Sequence, residues 1–154
     1  MNLEAEALLN VHRTAGLLDA GMAEVLKPSE LSPAQYNVLR ILRGAGKAGL
    51  ACGEIGSRMV TRDPDITRLL DRLEKRGLIG RFRDTADRRI VTVRINGQGL
   101  LALKQLDAAV DRFTRNHFGK LGAQQLQALI EALELVRGAD GAADEGTRQR
   151  GRNE

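Results

Sequence analysis

The sequence is poor in the residues that carry disulfides and zinc sites. It has one cysteine and two histidines among 154 residues. The single Cys52 cannot form a disulfide within the chain, and histidines only at His12 and His117 leave no zinc-ligand spacing. We therefore expect neither a disulfide framework nor a metal site.

Long apolar runs are also missing. A membrane-spanning helix needs about 20 mostly apolar residues, and a signal peptide begins with a basic segment before an apolar run. The chain opens with Met1-Asn2-Leu3-Glu4-Ala5-Glu6 and fits neither pattern. We expect a cytoplasmic protein without a membrane partner.

Patterns typical of catalysis are absent as well. The sequence has no Gly-x-Ser-x-Gly elbow, no phosphate loop and no carboxylate pair with a supporting histidine. Residues 97–102 match the dinucleotide pattern G-x-G-x-x-A, but that pattern needs a parallel strand after its helix, and no strand-like run follows Phe118. We expect no enzymatic activity and no cofactor.

What the sequence does have is enough apolar residues for a core and a localised positive charge. Apolar residues make up 42% and charged residues 29%, which indicates one folded domain. Residues 1–53 carry 5 cations and 5 acids, residues 95–154 carry 8 and 8, and residues 54–94 carry 11 and 7. The net charge of +4 therefore lies in the middle segment.

Ten of the 11 cations in that segment are arginines, which form bidentate contacts with phosphate and guanine. This composition favours a nucleic-acid surface. The alternative is a solvated face in a chain that is rich in arginine throughout, with 19 Arg to 5 Lys. Only one tyrosine, three phenylalanines and no tryptophan are available to stack on bases, so duplex DNA is favoured over single strands.

Helical periodicity begins near the N-terminus. Apolar residues recur there with spacings of three and four: Leu8, Val11, Ala15, Leu18, Met22 and Val25. This pattern predicts a first helix that ends at Lys27. Its narrow apolar stripe suits packing against partner helices, either of the same chain or of another. Ser32 and Gln35 predict a capping box, with Pro33 at the first position of a second helix.

The middle segment predicts two helices and a hairpin. A short helix over Cys52–Met59 is followed by a turn, and Asp63-Pro64 predicts the cap and first position of a helix that stops at Gly77. Two strands, 78–83 and 90–95, flank a polar tip with two arginines. A helix-turn-helix followed by such a hairpin is a winged helix.

Two more helices follow, after which the periodicity ends. Asn96 predicts the cap of a helix over 97–118, and the last helix should end at Gly138. Residues 138–154 lack periodicity and predict a mobile tail. The predicted fold class is mainly α (α+β), with a winged helix-turn-helix lobe and a helical lobe.

The order of these elements resembles the MarR family of bacterial transcription regulators over about residues 3–137. Three motifs carry the resemblance: Leu31-Ser32-Pro33-Ala34-Gln35-Tyr36-Asn37-Val38-Leu39, the run from Ile66 to Ile79 (ITRLLDRLEKRGLI), and Asp87-Arg88-Arg89. The resemblance implies one domain over 1–137. Residues 1–27 and 97–137 would form a dimerisation lobe, and residues 31–95 would form the DNA-binding lobe of a homodimer. The chain departs from the family pattern at Ala51, Gly53, Gly56 and Asn96.

The resemblance also implies roles for individual residues. The expected DNA-binding residues are those of the turn, the second helix of the helix-turn-helix and the wing: Arg62, Pro64, Asp65, Thr67, Arg68, Arg72, Arg88 and Arg89. Arg89 would enter the minor groove, and Asp87 would hold the wing tip in shape. A small-molecule effector is also expected, with His12 and Tyr36 as candidates for its site.

Several alternatives stay open. Asp65 could cap its helix instead of accepting from cytosine. Arg72 or Arg76 could pair with Asp71 or Glu74 on the helix surface, and for Arg76 we predict this pairing. Cys52 could be an incidental thiol instead of a redox sensor. The function that we predict for the whole chain is a dimeric, ligand-responsive DNA-binding regulator that acts as a repressor on a pseudo-palindromic operator. The rival hypothesis is a winged-helix protein-interaction module that binds an acidic partner.

Overall fold

The structure, a computed structural model, describes residues 2–61, 65–85 and 87–150, with residues 139–150 described by their backbone alone. The chain divides into two compact units, Met1–Phe113 and Thr114–Glu154. The described residues form six α-helices and three strands: α1 (Leu3–Leu26), α2 (Pro33–Ala45), β1 (Leu50–Ala51), α3 (Cys52–Arg58), α4 (Ile66–Lys75), β2 (Ile79–Arg83), β3 (Val91–Ile95), α5 (Gly97–Phe118) and α6 (Ala123–Arg150). The fold is mainly helical with a small sheet, as predicted.

The sheet has the antiparallel order β1-β3-β2. The hairpin of β2 and β3, hereafter the wing, pairs Ile79 with Ile95 and Arg83 with Val91. The strand β1 was not predicted and pairs Leu50 with Val93. At two residues it is too short to produce an alternating pattern, and only its partner β3 defines it.

The start of α2 follows from local chemistry. The Ser32 hydroxyl accepts from the amide of Gln35 at 3.2 Å, and the Gln35 side chain accepts from the amide of Ser32 at 3.0 Å. Pro33 occupies the first helical position, where no partner exists for an N–H. The predicted capping box is confirmed.

The start of α4 corrects a prediction. The N-cap is Asp65 and not Asp63, because the Asp65 carboxylate accepts from the amide of Arg68 at 3.2 Å and α4 begins at Ile66. Asp63 itself lies outside the described residues. Asp63 and Asp65 stand on either side of Pro64, so the sequence contains two candidate N-cap residues.

The end of α4 is as predicted. Gly77 has a φ of 70°, which favours glycine, and its amide donates to the carbonyl of Glu74 at 2.8 Å. The amide of Leu78 donates to the carbonyl of Leu73 at 3.0 Å. These two bonds form a Schellman motif that ends the helix.

The core of the first unit joins both helices of the helix-turn-helix to the wing. Fully buried side chains come from five helices and one strand: Leu26, Val38, Leu39, Leu42, Ile55, Leu70, Leu73, Val93 and Leu103. On α4 the buried residues Leu69, Leu70 and Leu73 lie on one face, so the opposite face is exposed.

The junction between the wing and α5 is tight. The Asn96 side chain accepts from the amide of Gly99 at 3.1 Å, as the predicted cap requires, and its amide group also donates to the carbonyl of Gly77. A Cβ on Gly99 would lie 2.3 Å from the carbonyl oxygen of Leu78. The first turn of α5 therefore contacts the segment that follows α4.

In the second unit, α6 does not end at Gly138 as predicted but continues to Arg150. A glycine inside a helix costs about 1 kcal/mol relative to alanine, which weakens a helix without forcing it to stop. The expected mobility of residues 138–154 stays a prediction. Among the described residues, no helix is long and apolar enough to span a membrane.

Candidate nucleic-acid interface

The turn between α3 and α4 is fastened to α2. The side-chain oxygen of Asn37 accepts from the amide of Val60 at 2.8 Å, just beyond the end of α3. At the start of α3, Ala51 has no side-chain oxygen, but its amide donates to the Glu54 carboxylate at 2.9 Å. Arg62 and Pro64, two predicted DNA-binding residues, lie outside the described residues, and their predicted roles are untested.

The first turn of α4 is exposed and carries a paired arginine. The Nε of Arg68 lies 3.1 Å from the Asp65 carboxylate, and both side chains face solvent. Thr67, between them, is also exposed. Because an exposed ion pair contributes about 1 kcal/mol or less, Arg68 can exchange Asp65 for another acceptor at little cost.

Farther along α4, Arg72 and Arg76 behave differently. The Arg72 side chain is exposed and has no hydrogen bond or ion pair with any residue of the described segments. The prediction that Arg76 pairs with Asp71 or Glu74 is wrong. Its guanidinium donates instead to the carbonyls of Glu30 at 2.7 Å and Ser29 at 3.0 Å.

The bonds of Arg76 fasten the C-terminal end of α4 to the connection between α1 and α2. In this connection a short 3-10 helix, Lys27–Ser29, follows α1, and Glu30 has the left-handed φ of 52°. A left-handed conformation is costly for a residue other than glycine and persists where neighbouring contacts hold it. The two carbonyl groups that accept from Arg76 belong to Ser29 and Glu30. They lie 47 and 46 residues away in the sequence, and helical periodicity carries no information about so distant a partner.

The wing tip is ordered by two aspartates. The Asp87 carboxylate accepts from the amide of Arg89 at 3.0 Å and lies 3.3 Å from its Nε, and the amide of Asp87 donates to Asp84 at 3.1 Å. The amide of Ile90 donates to the carbonyl of Asp87 at 3.0 Å. Arg88 is exposed, and the Arg89 side chain is 93% exposed.

Sequence reasoning missed Arg81, in the middle of β2. Its guanidinium bonds the Asp71 carboxylate at 2.7 Å and the Glu74 carboxylate at 2.6 Å, so β2 is joined to α4. Burial lowers the pKa of Arg81, and the bonds to Asp71 and Glu74 outweigh it, so that the pKa is raised. Arg81 lies opposite the buried Val93, a register that the structure gives and the sequence does not mark.

The outer face of the wing carries a second unpredicted contact. The Arg94 guanidinium lies over the Phe82 ring, 4.9 Å from its centroid, and Phe82 is half exposed. Gly80 pairs with Arg94 and leaves space beneath the ring, since a Cβ there would lie 3.2 Å from Phe82. The pair stiffens the wing by a cation–π contact.

The two effector candidates differ in environment. His12 is exposed on α1, whereas Tyr36 is buried on α2. Burial raises the pKa of the Tyr36 hydroxyl, against the opposing effect of Arg40 and Arg43. Neither environment tests the predicted role of His12 or Tyr36 at an effector site.

The described residues include no cluster of three or more histidine, cysteine or acidic side chains that could hold a metal ion. Cys52 is a free, half-buried thiol at the start of α3.

Comparison with known proteins agrees with this geometry. The sequence profile of the MarR family matches residues 31–91. A transcription factor of this family from Planctomyces limnophilus is 40% identical, with 88% of this chain and 98% of that chain covered and a TM-score of 0.67. The HTH-type transcriptional repressor MdtR of Bacillus subtilis is 28% identical over 77% of this chain and 76% of its own length. A mutant MarR from E. coli, solved in complex with operator DNA, is 25% identical, with 88% and 99% of the two chains covered and a TM-score of 0.75.

The chain belongs to the MarR family and is a DNA-binding transcriptional regulator with the winged helix-turn-helix fold. The relatives from B. subtilis and P. limnophilus are transcription regulators.

Proposed function

We propose that this regulator recognises a specific duplex DNA sequence through α4 and the wing. The observation that carries the proposal is the exposed cationic set on these two elements, Arg68 and Arg72 on α4 with Arg88 and Arg89 at the wing tip. Arginines reach base edges and phosphates, and phosphate contacts supply affinity while base contacts supply sequence choice.

Within this proposal the residues have distinct tasks. Arg68, in the first turn of α4, contacts a guanine edge. Pro64, Asp65 and Thr67 contact neighbouring base edges, and Arg62 binds DNA from the preceding turn. Arg72 and Arg88 contact phosphate, and Arg89 enters the minor groove. Asp65 also caps α4, and its observed bonds are compatible with a contact to cytosine because a carboxylate offers about four acceptor positions.

We infer that the protein acts as a homodimer. The N-terminal half of the α1 seam is uncovered, with Leu8 at 58% and Val11 at 49% exposure, whereas Leu26 at the end of α1 is fully buried. On α6, Leu135 and Val136 are 77% and 68% exposed. Apolar helix faces of this kind are typical of surfaces that pack against another chain. A two-fold symmetric partner would place two α4 helices in major grooves about 10 to 10.5 bp apart.

We further propose that the dimer represses transcription by occupying a pseudo-palindromic operator. An effector bound near Tyr36 would favour a different separation of the two α4 helices and so release the DNA. The repressor name of the B. subtilis relative supports this direction of regulation.

The decisive experiment is selection of bound duplexes from a random pool, followed by a salt titration of the selected sequence. We expect an inverted repeat whose half-site centres lie about one helical turn apart. We also expect log K to fall linearly with log salt, with a slope of about −0.9 per neutralised phosphate.

A pool that yields no preferred sequence would overturn the proposal. Binding to an acidic protein, with no DNA preference at low salt, would favour the rival interaction module.

A further inference from the structure

The inward face of the wing carries two arginines, Arg81 and Arg83, and Arg81 occupies a partly buried position that suits an apolar residue. In β2 the residues Ile79, Arg81 and Arg83 share a face, and they oppose Ile95, Val93 and Val91 of β3. Ile79 and Val93 are buried, and the Arg81 side chain is only 26% exposed. A guanidinium in such a position needs acceptors, since a charge removed from water is costly when it is unpaired.

Those acceptors all belong to α4. The guanidinium binds Asp71 at 2.7 Å and Glu74 at 2.6 Å, and its Nη2 reaches the carbonyl of Thr67 at a marginal 3.5 Å. The backbone amide of Arg81 also donates to Glu74, at 3.3 Å. Asp71 and Glu74 are three residues apart, nearly one helical turn, so the contacts fix both the height and the rotation of α4 relative to β2.

The shape of arginine suits this task. Its planar guanidinium presents five donors in a fixed fork, whereas a lysine ammonium is a point charge on a flexible stem. Two carboxylates bound at different nitrogens of one rigid plane hold a defined geometry, which a freely rotating group would not.

We propose that Arg81 is a positioning residue that sets the orientation of the DNA-reading helix α4 relative to the wing. This inference rests on the proposed function. Arg81 need not touch DNA: it lets Arg68 on α4 and Arg89 on the wing meet one duplex at the same time. Its loss should therefore reduce discrimination between sequences more than it reduces general attraction to DNA.

The first test compares Arg81→Met with Arg83→Met on the DNA sequence that the intact protein selects. Both variants remove one positive charge from the same face of the same strand, but Arg83 is exposed and has no ion pair with the described residues. For Arg81→Met we expect the ratio of affinities for selected and random duplex to fall about tenfold, the size of one lost base contact. For Arg83→Met that ratio should stay constant, even if both affinities fall through lost charge. Equal ratios in the two variants would overturn the inference.

A second test separates positioning from charge neutralisation. Without Arg81, the acids Asp71 and Glu74 would repel DNA phosphates, and this alone would weaken binding. The triple variant Arg81→Met, Asp71→Asn, Glu74→Gln removes that repulsion, but it also lacks the ion pairs that join β2 to α4. Under the inference its affinity ratio stays low, whereas recovery to the ratio of the intact protein would show that Arg81 only neutralises the two acids.

A third variant covers the case in which Arg81→Met does not fold, as judged by circular dichroism. Asp71→Ala removes an exposed acid and one of the two ion pairs that Arg81 makes with α4. A pure charge effect predicts tighter binding to all duplexes with an unchanged ratio, whereas positioning predicts a lower ratio. If the intact protein selects no sequence, the proposed function fails; if it selects one and these variants keep its ratio, only the role of Arg81 fails.

Discussion

At the scale of single residues, Arg89 shows how little a binding group needs to contribute to the fold. Its side chain is almost fully exposed, and its partner Asp87 also accepts from the backbone amide of Arg89, a bond that a side-chain substitution leaves in place. The Arg89→Ala variant should therefore bind the selected duplex about tenfold more weakly, since a groove-inserted arginine is lost. Its melting temperature should change little, because exposed substitutions usually alter stability by less than about 0.5 kcal/mol.

Fluorescence anisotropy and thermal melting of the same preparation would check both parts. Asp87→Ala is the informative companion, because it should weaken binding by loosening the tip while leaving Arg89 in place. Unchanged affinity of Arg89→Ala would show that the wing does not reach DNA.

The second residue prediction concerns sequence choice. Arg68→Ala should relax preference at one or two base pairs, with a loss of about 1 to 3 kcal/mol of discrimination at those positions. Affinities for single-base variants of the selected duplex would measure it. A uniform loss across every variant would instead assign Arg68 to a phosphate.

Residue-scale prediction from sequence succeeded where the partner is near in the chain and failed where it is distant. The Ser32–Gln35 box lies within four residues. In contrast, Arg76 bonds a segment 46 residues away and was expected to pair within its own helix. Neither helical periodicity nor strand alternation carries information about such a partner.

At the scale of elements, the ends of α4 decide where its reading face lies. Gly77 has a φ of 70° and open space around it, so only backbone strain opposes a side chain there. Gly77→Ala should reduce the free energy of unfolding by about 1 kcal/mol or more.

The matched control is Gly44→Ala, because Gly44 lies inside α2 with no atom within 4 Å of its added Cβ. That variant should be more stable, by about 0.5 to 1 kcal/mol, through higher helix propensity. Urea unfolding of both variants measures the difference, and a destabilisation of equal size in the two would contradict the role of the left-handed turn.

Elements with several turns or strand alternations were predictable, and short ones were not. The helices α2 and α5 and the hairpin follow their patterns closely. The two-residue β1 has no pattern of its own, and α6 continues past Gly138 although a glycine there suggested an end.

At the scale of the whole molecule, the uncovered seam of α1 can be tested directly. Val11→Asp would introduce an acid into the apolar stripe, and Asn10→Asp would introduce the same charge on the adjacent, exposed residue. We expect Val11→Asp to sediment as a monomer and to lose preference for the inverted repeat, because a buried unpaired carboxylate is costly.

Asn10→Asp should remain a dimer that prefers the inverted repeat. Sedimentation velocity distinguishes the two. Dimers of equal strength in both variants would move the subunit interface away from this part of α1.

The Asn96 side chain joins the end of α4 to the start of α5, and this affects local unfolding of the two helices. Its amide group donates to the carbonyl of Gly77, just after α4, and its side-chain oxygen accepts from the amide of Gly99 in the first turn of α5. Neither helix end can then fray without releasing the other, and the two should behave as one cooperative unit in local unfolding. Amide protons on both sides of Asn96 should therefore exchange with solvent at a common rate.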